Sequence, residues 1–196
     1  MRGFAGLALS LGLLAVPAPA AQPGAAELIA FQQRLDRYAE LHRTLEGPLP
    51  PLRAATDIGE VQRLMAALRA KLQLSRREPG QEPLFNRGLV VLLRTRIAAV
   101  LTIEDIAYTT EDIAEHSPPD MPPVRVNAPL PQDAPLGFIP PQLLQALPPL
   151  PPELRYVVLS GDLIVWDHHA DLVVDIAPGL FDPLTYSKKS AATPAG

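Results

Sequence analysis

LPPLPPELRYVVLSGDLIVWDHHADLVVDIA, residues 147–177, decides the fold. It opens on proline pairs that bar helix and sheet hydrogen bonds. It then turns into three short runs of β-branched and aromatic residues. Strands are expected at Leu154 to Ser160, Leu163 to Asp167 and Leu172 to Ile176. Gly161-Asp162 is the expected two-residue hairpin turn between the first two. That turn sets Ser160 opposite Leu163, Val158 opposite Val165, Val157 opposite Trp166 and Arg155 opposite His168. One face then carries Val157, Leu159, Ile164 and Trp166, and the other Tyr156, Val158, Leu163 and Val165. Both faces are apolar, and three strands cannot stand in water that way. Helices must cover one face; the other needs the preceding chain or another subunit.

Upstream lies a proline belt. Thirteen of the 24 prolines fall between Pro118 and Pro152. Chain of this kind is extended or polyproline-like. The exception is residues 140–147, where two prolines can occupy a first helical turn and Leu143, Leu144 and Leu147 share one face, so a short helix is expected.

The part before the belt reads as helices. Leu28, Phe31, Leu35, Tyr38, His42 and Leu45 recur at steps of three and four, giving a helix from Ala25 to Glu46 that stops at Gly47-Pro48. A second begins at Asp57, with Glu60 three residues on as a capping partner, and ends near Arg77. A third is expected from Pro83 to Leu101, more buried than the others, with Gly88 allowing close approach of a neighbour. A fourth, capped by Thr102 and Asp105, must stop by His116, before Pro118-Pro119. Its apolar edge is Ile103, Ile106, Ala107, Tyr108 and Ile113.

The chain therefore divides into a cleaved signal peptide at 1–20, a helical region at 21–117, the belt at 118–152, a β-meander at 153–178 and a largely disordered tail at 179–196. Arg2, the apolar run Phe4 to Val16 and the Ala18-Pro19-Ala20 site mark the leader. The apolar run is too short to span a bilayer. The expected fold class is α+β: three to four helices packed on a small C-terminal antiparallel three-strand meander, joined by a proline-rich strap. The expected location is periplasmic or secreted, with no stable membrane insertion after cleavage.

Composition narrows the function. The absence of cysteine excludes disulfides, thiolate metal sites and a cysteine nucleophile. A net charge of −4 argues against nucleic acid as a partner. Charge is segregated: Arg63, Arg69, Lys71, Arg76, Arg77, Arg87, Arg94 and Arg96 cluster in one stretch, and residues 104–120 hold acids without Lys or Arg. Such faces pack against each other or dock a partner.

Asp167, His168, His169 and Asp171 form the one cluster of metal-ligand types, suited to zinc, nickel or copper. The alternative is a polar hairpin tip, since adjacent histidines on extended chain diverge and Arg155 faces His168 in the expected register. His42 sits on the apolar stripe of the first helix as an interior residue; an enzyme would need it to converge with a carboxylate in a pocket. No nucleophile elbow, phosphate loop or zinc-protease helix occurs.

Leu147-Pro148-Pro149-Leu150-Pro151, Leu154-Arg155-Tyr156, Gly161-Asp162-Leu163 and Leu172-Val173-Val174-Asp175 resemble the C-terminus of an uncharacterised family of exported bacterial proteins. The hairpin is also similar, over about 30 residues, to one in periplasmic nickel and cobalt homeostasis proteins, which implies a metal-related context but supplies no ligand motif. The leading expectation is a non-enzymatic interaction or structural module with a protein partner or self-association. A metal-binding or metal-response protein is the alternative, and an enzyme of unidentified class comes third.

Overall fold

A computed structural model describes residues 24–55, 57–76, 82–116, 121–135, 139 and 141–182. The expected leader and most of the expected tail lie outside them. The apolar stripe on residues 25–46 produces helix α1 (Ala25–Glu46), which buries Phe31, Leu35, Tyr38 and His42 along one side. A single 3-10 turn (Leu52–Ala54) leads to α2 (Ile58–Ser75), whose N-cap Asp57 accepts from the Glu60 amide at 2.8 Å. Helices α3 (Arg87–Ile97) and α4 (Ile103–His116) follow. Thr102 and Asp105 cap α4 reciprocally, each accepting the other's backbone N–H.

Helix α3 is shorter than its periodicity suggests. Asn86 ends the preceding loop by accepting from Leu89 N–H at 2.7 Å, which fixes the helix start four residues past Pro83. Residues 84 and 85 stay outside the helix, so Leu84 and Phe85 enter the core and Phe85 stacks on Phe31 at 5.8 Å. The helix is amphipathic rather than buried all round: Leu89, Leu93 and Ile97 face inward, while Val91 is exposed. Gly88 does permit a close approach. A Cβ there would collide with the Glu27 carboxylate, which belongs to α1. In α4, Ile106 is buried, but Tyr108 is exposed and Ile103 is at the surface, so the expected apolar edge narrows.

After the belt and a short helix α5 (Pro141–Ala146), strands β1 (Leu154–Leu159), β2 (Asp162–Asp167) and β3 (Leu172–Ala177) form one antiparallel sheet in the order β1-β2-β3. The architecture is α+β. The register differs from the sequence reading. Leu159 pairs with Asp162, Val158 with Leu163 and Arg155 with Trp166, so the turn residues are Ser160-Gly161. Both have positive φ, 52° and 81°, the requirement of a type I′ hairpin whose twist matches the strands. The slip is two residues along the partner strand, so every side chain keeps its expected face. Arg155 consequently faces Trp166, and its guanidinium donates to Pro152 O and Leu154 O.

Both sheet faces are covered by this one chain. Val158, Leu163 and Val165 on one side and Val157, Leu159 and Ile164 on the other are all buried. Each such side chain contributes roughly 1.5–3 kcal/mol by leaving water. The belt supplies part of the cover: Leu130, Leu143 and Leu147 are core residues, and Met121, Val124 and Leu150 pack against the core. The belt also pairs with β3. Asn127 N–H donates to Val173 O and Val173 N–H to Ala128 O, both at 2.8 Å. The ordered chain runs further than the expected tail boundary at 179. Leu180 and Phe181 are fully buried, and Phe181 N–H closes on Gly161 O at 2.7 Å. No described helix is long and apolar enough to cross a membrane.

Candidate metal centre

The C-terminal end of α1 meets the β2–β3 turn, and titratable side chains converge there. His42 and Glu46 are four residues apart, so they share one helix face. Asp167 ends β2 and folds the turn behind it: its Oδ1 accepts from the backbone N–H of both His169 and Ala170 at 3.0 Å. That local turn aims His169 back at α1.

A continuous hydrogen-bonded chain results. Tyr38 donates its hydroxyl to Asp167 Oδ2 at 2.7 Å. His42 Nδ1 meets the same oxygen at 2.6 Å. His42 Nε2 lies 3.0 Å from Glu46 Oε2, and Glu46 Oε1 lies 3.0 Å from His169 Nδ1. His42 and Asp167 are fully buried; Glu46 and His169 are partly exposed.

Burial opposes charge on His42, but the hydrogen bond and charge of Asp167, with Glu46 behind them, outweigh it and hold its pKa above the ordinary histidine value. Burial likewise pushes Asp167 up, yet the His42 and Tyr38 bonds and the Ala170 amide win and hold its carboxyl below the usual range. Tyr38 is raised, by burial first and by the Asp167 charge second, and so stays a donor.

One ligand atom each from His42, Glu46 and His169 lies within 4.8 Å of the others. A tetrahedral ion with ligands at about 2.0–2.1 Å sets its ligand atoms about 3.3 Å apart, so the three would have to draw together by up to about 1.5 Å. Asp167 holds the far nitrogen of His42, the arrangement by which an outer carboxylate orients a metal-binding imidazole. The negative end of the α1 dipole adds a field that favours a cation. Beside the three lies a cavity of about 590 Å³, with Arg43, Leu49, Arg53 and His169 in its wall, which gives the site an open side. Arg43, in that wall, donates to Glu40 Oε2 at 3.0 Å.

The four residues expected from the sequence are not brought to one point. Asp167 serves Tyr38 and His42. His168 Nε2 bonds Pro152 O at 3.0 Å, on the other side of the turn. Asp171 Oδ2 takes Arg69 at 2.7 Å, and its Oδ1 accepts from Trp166 Nε1 at 3.2 Å. Of the four, His169 alone joins the triad. The adjacent imidazoles do diverge to separate partners, although their rings meet edge to face with centroids 4.6 Å apart. Arg155, expected beside His168, is out of register with it. Glu46 is absent from the sequence reading; the signal for it is the His42 to Glu46 spacing at the end of a helix.

No protein-family model matches the chain, and no curated protein or solved structure matches it.

Proposed function

We propose that this chain is an exported, non-enzymatic protein that binds a divalent transition metal, with His42, Glu46 and His169 as its ligands. The observation that carries the reading is the convergence of two imidazoles and one carboxylate, with Asp167 already oriented behind His42. Two nitrogens and one oxygen suit zinc, nickel, cobalt or copper better than calcium or magnesium. His42 does meet carboxylates, as an enzyme would require. The ring is fully buried with Asp167 on Nδ1, however, which keeps a substrate proton away from it; in the proposed site Nε2 would exchange its contact with Glu46 for the ion. The covered sheet faces leave the segregated charge as the remaining argument for a partner or self-association.

Calorimetric titration of the purified protein with zinc and with nickel is the test. Saturable one-to-one binding is expected, weakened at least about 100-fold by Glu46→Gln or His169→Ala. His168→Ala should bind as the parent does. Absence of binding, or loss with His168→Ala alone, would leave the chain as a structural module whose histidines only tie α1 to the hairpin.

A further inference from the structure

Three arginines meet at a second cavity on α1, distinct in chemistry from the His42 cluster. Arg34 and Arg37 lie one helical turn apart, and Arg76 caps the end of α2 opposite them. With Leu41, Leu84 and Val174 they enclose about 400 Å³. The charge in this wall is poorly answered. Arg34 is 9% exposed at its side chain, yet Glu82, the acid it faces, stands 4.0 Å away and is itself 69% exposed. Its Nη2 donates to Leu84 O at 3.1 Å, and its Nε is enclosed without a partner among the described residues. Arg37 reaches Glu82 only at 3.8 Å. Arg76 lies over the Tyr38 ring, 5.2 Å from its centroid, and gives one nitrogen to Val174 O at 2.7 Å. Its Nε and Nη1 are buried and donate to nothing among the described residues. Asp175, the nearby buried acid on β3, is committed to the amides of Phe85 and Ile176.

A buried guanidinium without a close acceptor is costly, and proteins resolve that cost by pairing it. One exposed glutamate, and Asp175 whose charge reaches Arg76 alone of the three, still leave the arginines a net positive pocket. We propose that this cavity is a binding site for a small oxyanion, carboxylate or phosphate, held by Arg34, Arg37 and Arg76. Guanidinium forks match both groups bidentately. The apolar wall of Leu41, Leu84 and Val174 leaves room for a short hydrocarbon body. The site stands on its own residues and does not depend on metal binding at His42. It also accounts for part of the basic stretch seen in the sequence, because Arg76 turns inward here rather than onto a docking face.

The test is calorimetry at constant ionic strength with two probes, inorganic phosphate and butyrate. Saturable binding is expected of at least one. Tighter phosphate identifies a free inorganic anion as the ligand class, and tighter butyrate an organic acid. Arg37→Ala, at an exposed position that the fold does not need, should weaken the better probe about tenfold, the loss of one charge-assisted hydrogen bond. Glu82→Gln should strengthen it, since it removes the competing carboxylate, whose contacts to Arg34 and Arg37 are long. Lack of saturable binding by either probe overturns the site, and so does an affinity that neither substitution changes.

Discussion

Asp167 and His42 each keep a charge that burial alone would remove, and the two shifts have opposite signs. The raised His42 pKa adds stability that is fully present below its unfolded value of 6.5 and is lost as pH rises through the folded value. The lowered Asp167 pKa adds stability present above 3.8 and lost as pH falls through its folded value. In metal-free protein the pair should therefore stabilise most between those limits. Urea denaturation of the parent and of His42→Gln, from pH 5 to pH 9, reads this directly. The gap between them should be widest near pH 5–6 and should shrink on the alkaline side. A gap that ignores pH would mean that the pair is not charged. Little of this is legible in the sequence. His42 is readable as interior from the helical stripe. Its partner is not, because the two residues stand 125 positions apart and nothing local in either segment names the other.

Among the elements, those with strong local chemistry are legible. The α1 stripe, the Asp57 and Thr102 caps and the short belt helix follow from spacing and capping alone. The α3 start escapes such a reading because Pro83 is also a good first-turn residue, while Asn86, the stronger cap, decides it. The hairpin turn escapes for a related reason. Serine seldom takes positive φ, so Gly161 looks like the first turn residue rather than the second. Ser160 is thus the weak point of a type I′ turn that favours asparagine followed by glycine. Ser160→Asn should raise stability by up to about 0.5 kcal/mol. Gly161→Ala, which puts a Cβ at φ 81°, should lower it by about 1 kcal/mol or more. Thermal denaturation of both variants checks the turn, and equal melting temperatures would contradict the observed register.

At the scale of the whole molecule the belt acts as a strap that also closes a sheet edge. An open strand edge invites pairing with another chain. Here Asn127 and Ala128 occupy the β3 groups at Val173, and Gln73 of α2 holds Asn127 O at 2.9 Å. Asn127 does this at φ 63°, a conformation that favours asparagine or glycine. Asn127→Ala should cost about 1–2 kcal/mol and speed hydrogen exchange at the Val173 amide, whereas Asn127→Gly should keep most of the stability. Equal protection in all three proteins would show that the strap does not hold the edge. The need for such cover is legible from two apolar faces on three strands. Its location is not, since prolines give no pairing pattern to read.

The His42–Asp167 contact also sets an order of events. Chain synthesised from its N-terminus presents His42 and Glu46 early, on a helix that can form locally. Asp167 and His169 come more than a hundred residues later, after helices, belt and two strands. Closing so long a loop is entropically costly, and contacts of such range slow folding. A fragment that stops short of residue 169 would hold only part of the proposed metal site, however well its helices fold. On the proposed metal reading, ion capture would mark completed chain assembly, set only once the last hairpin has docked.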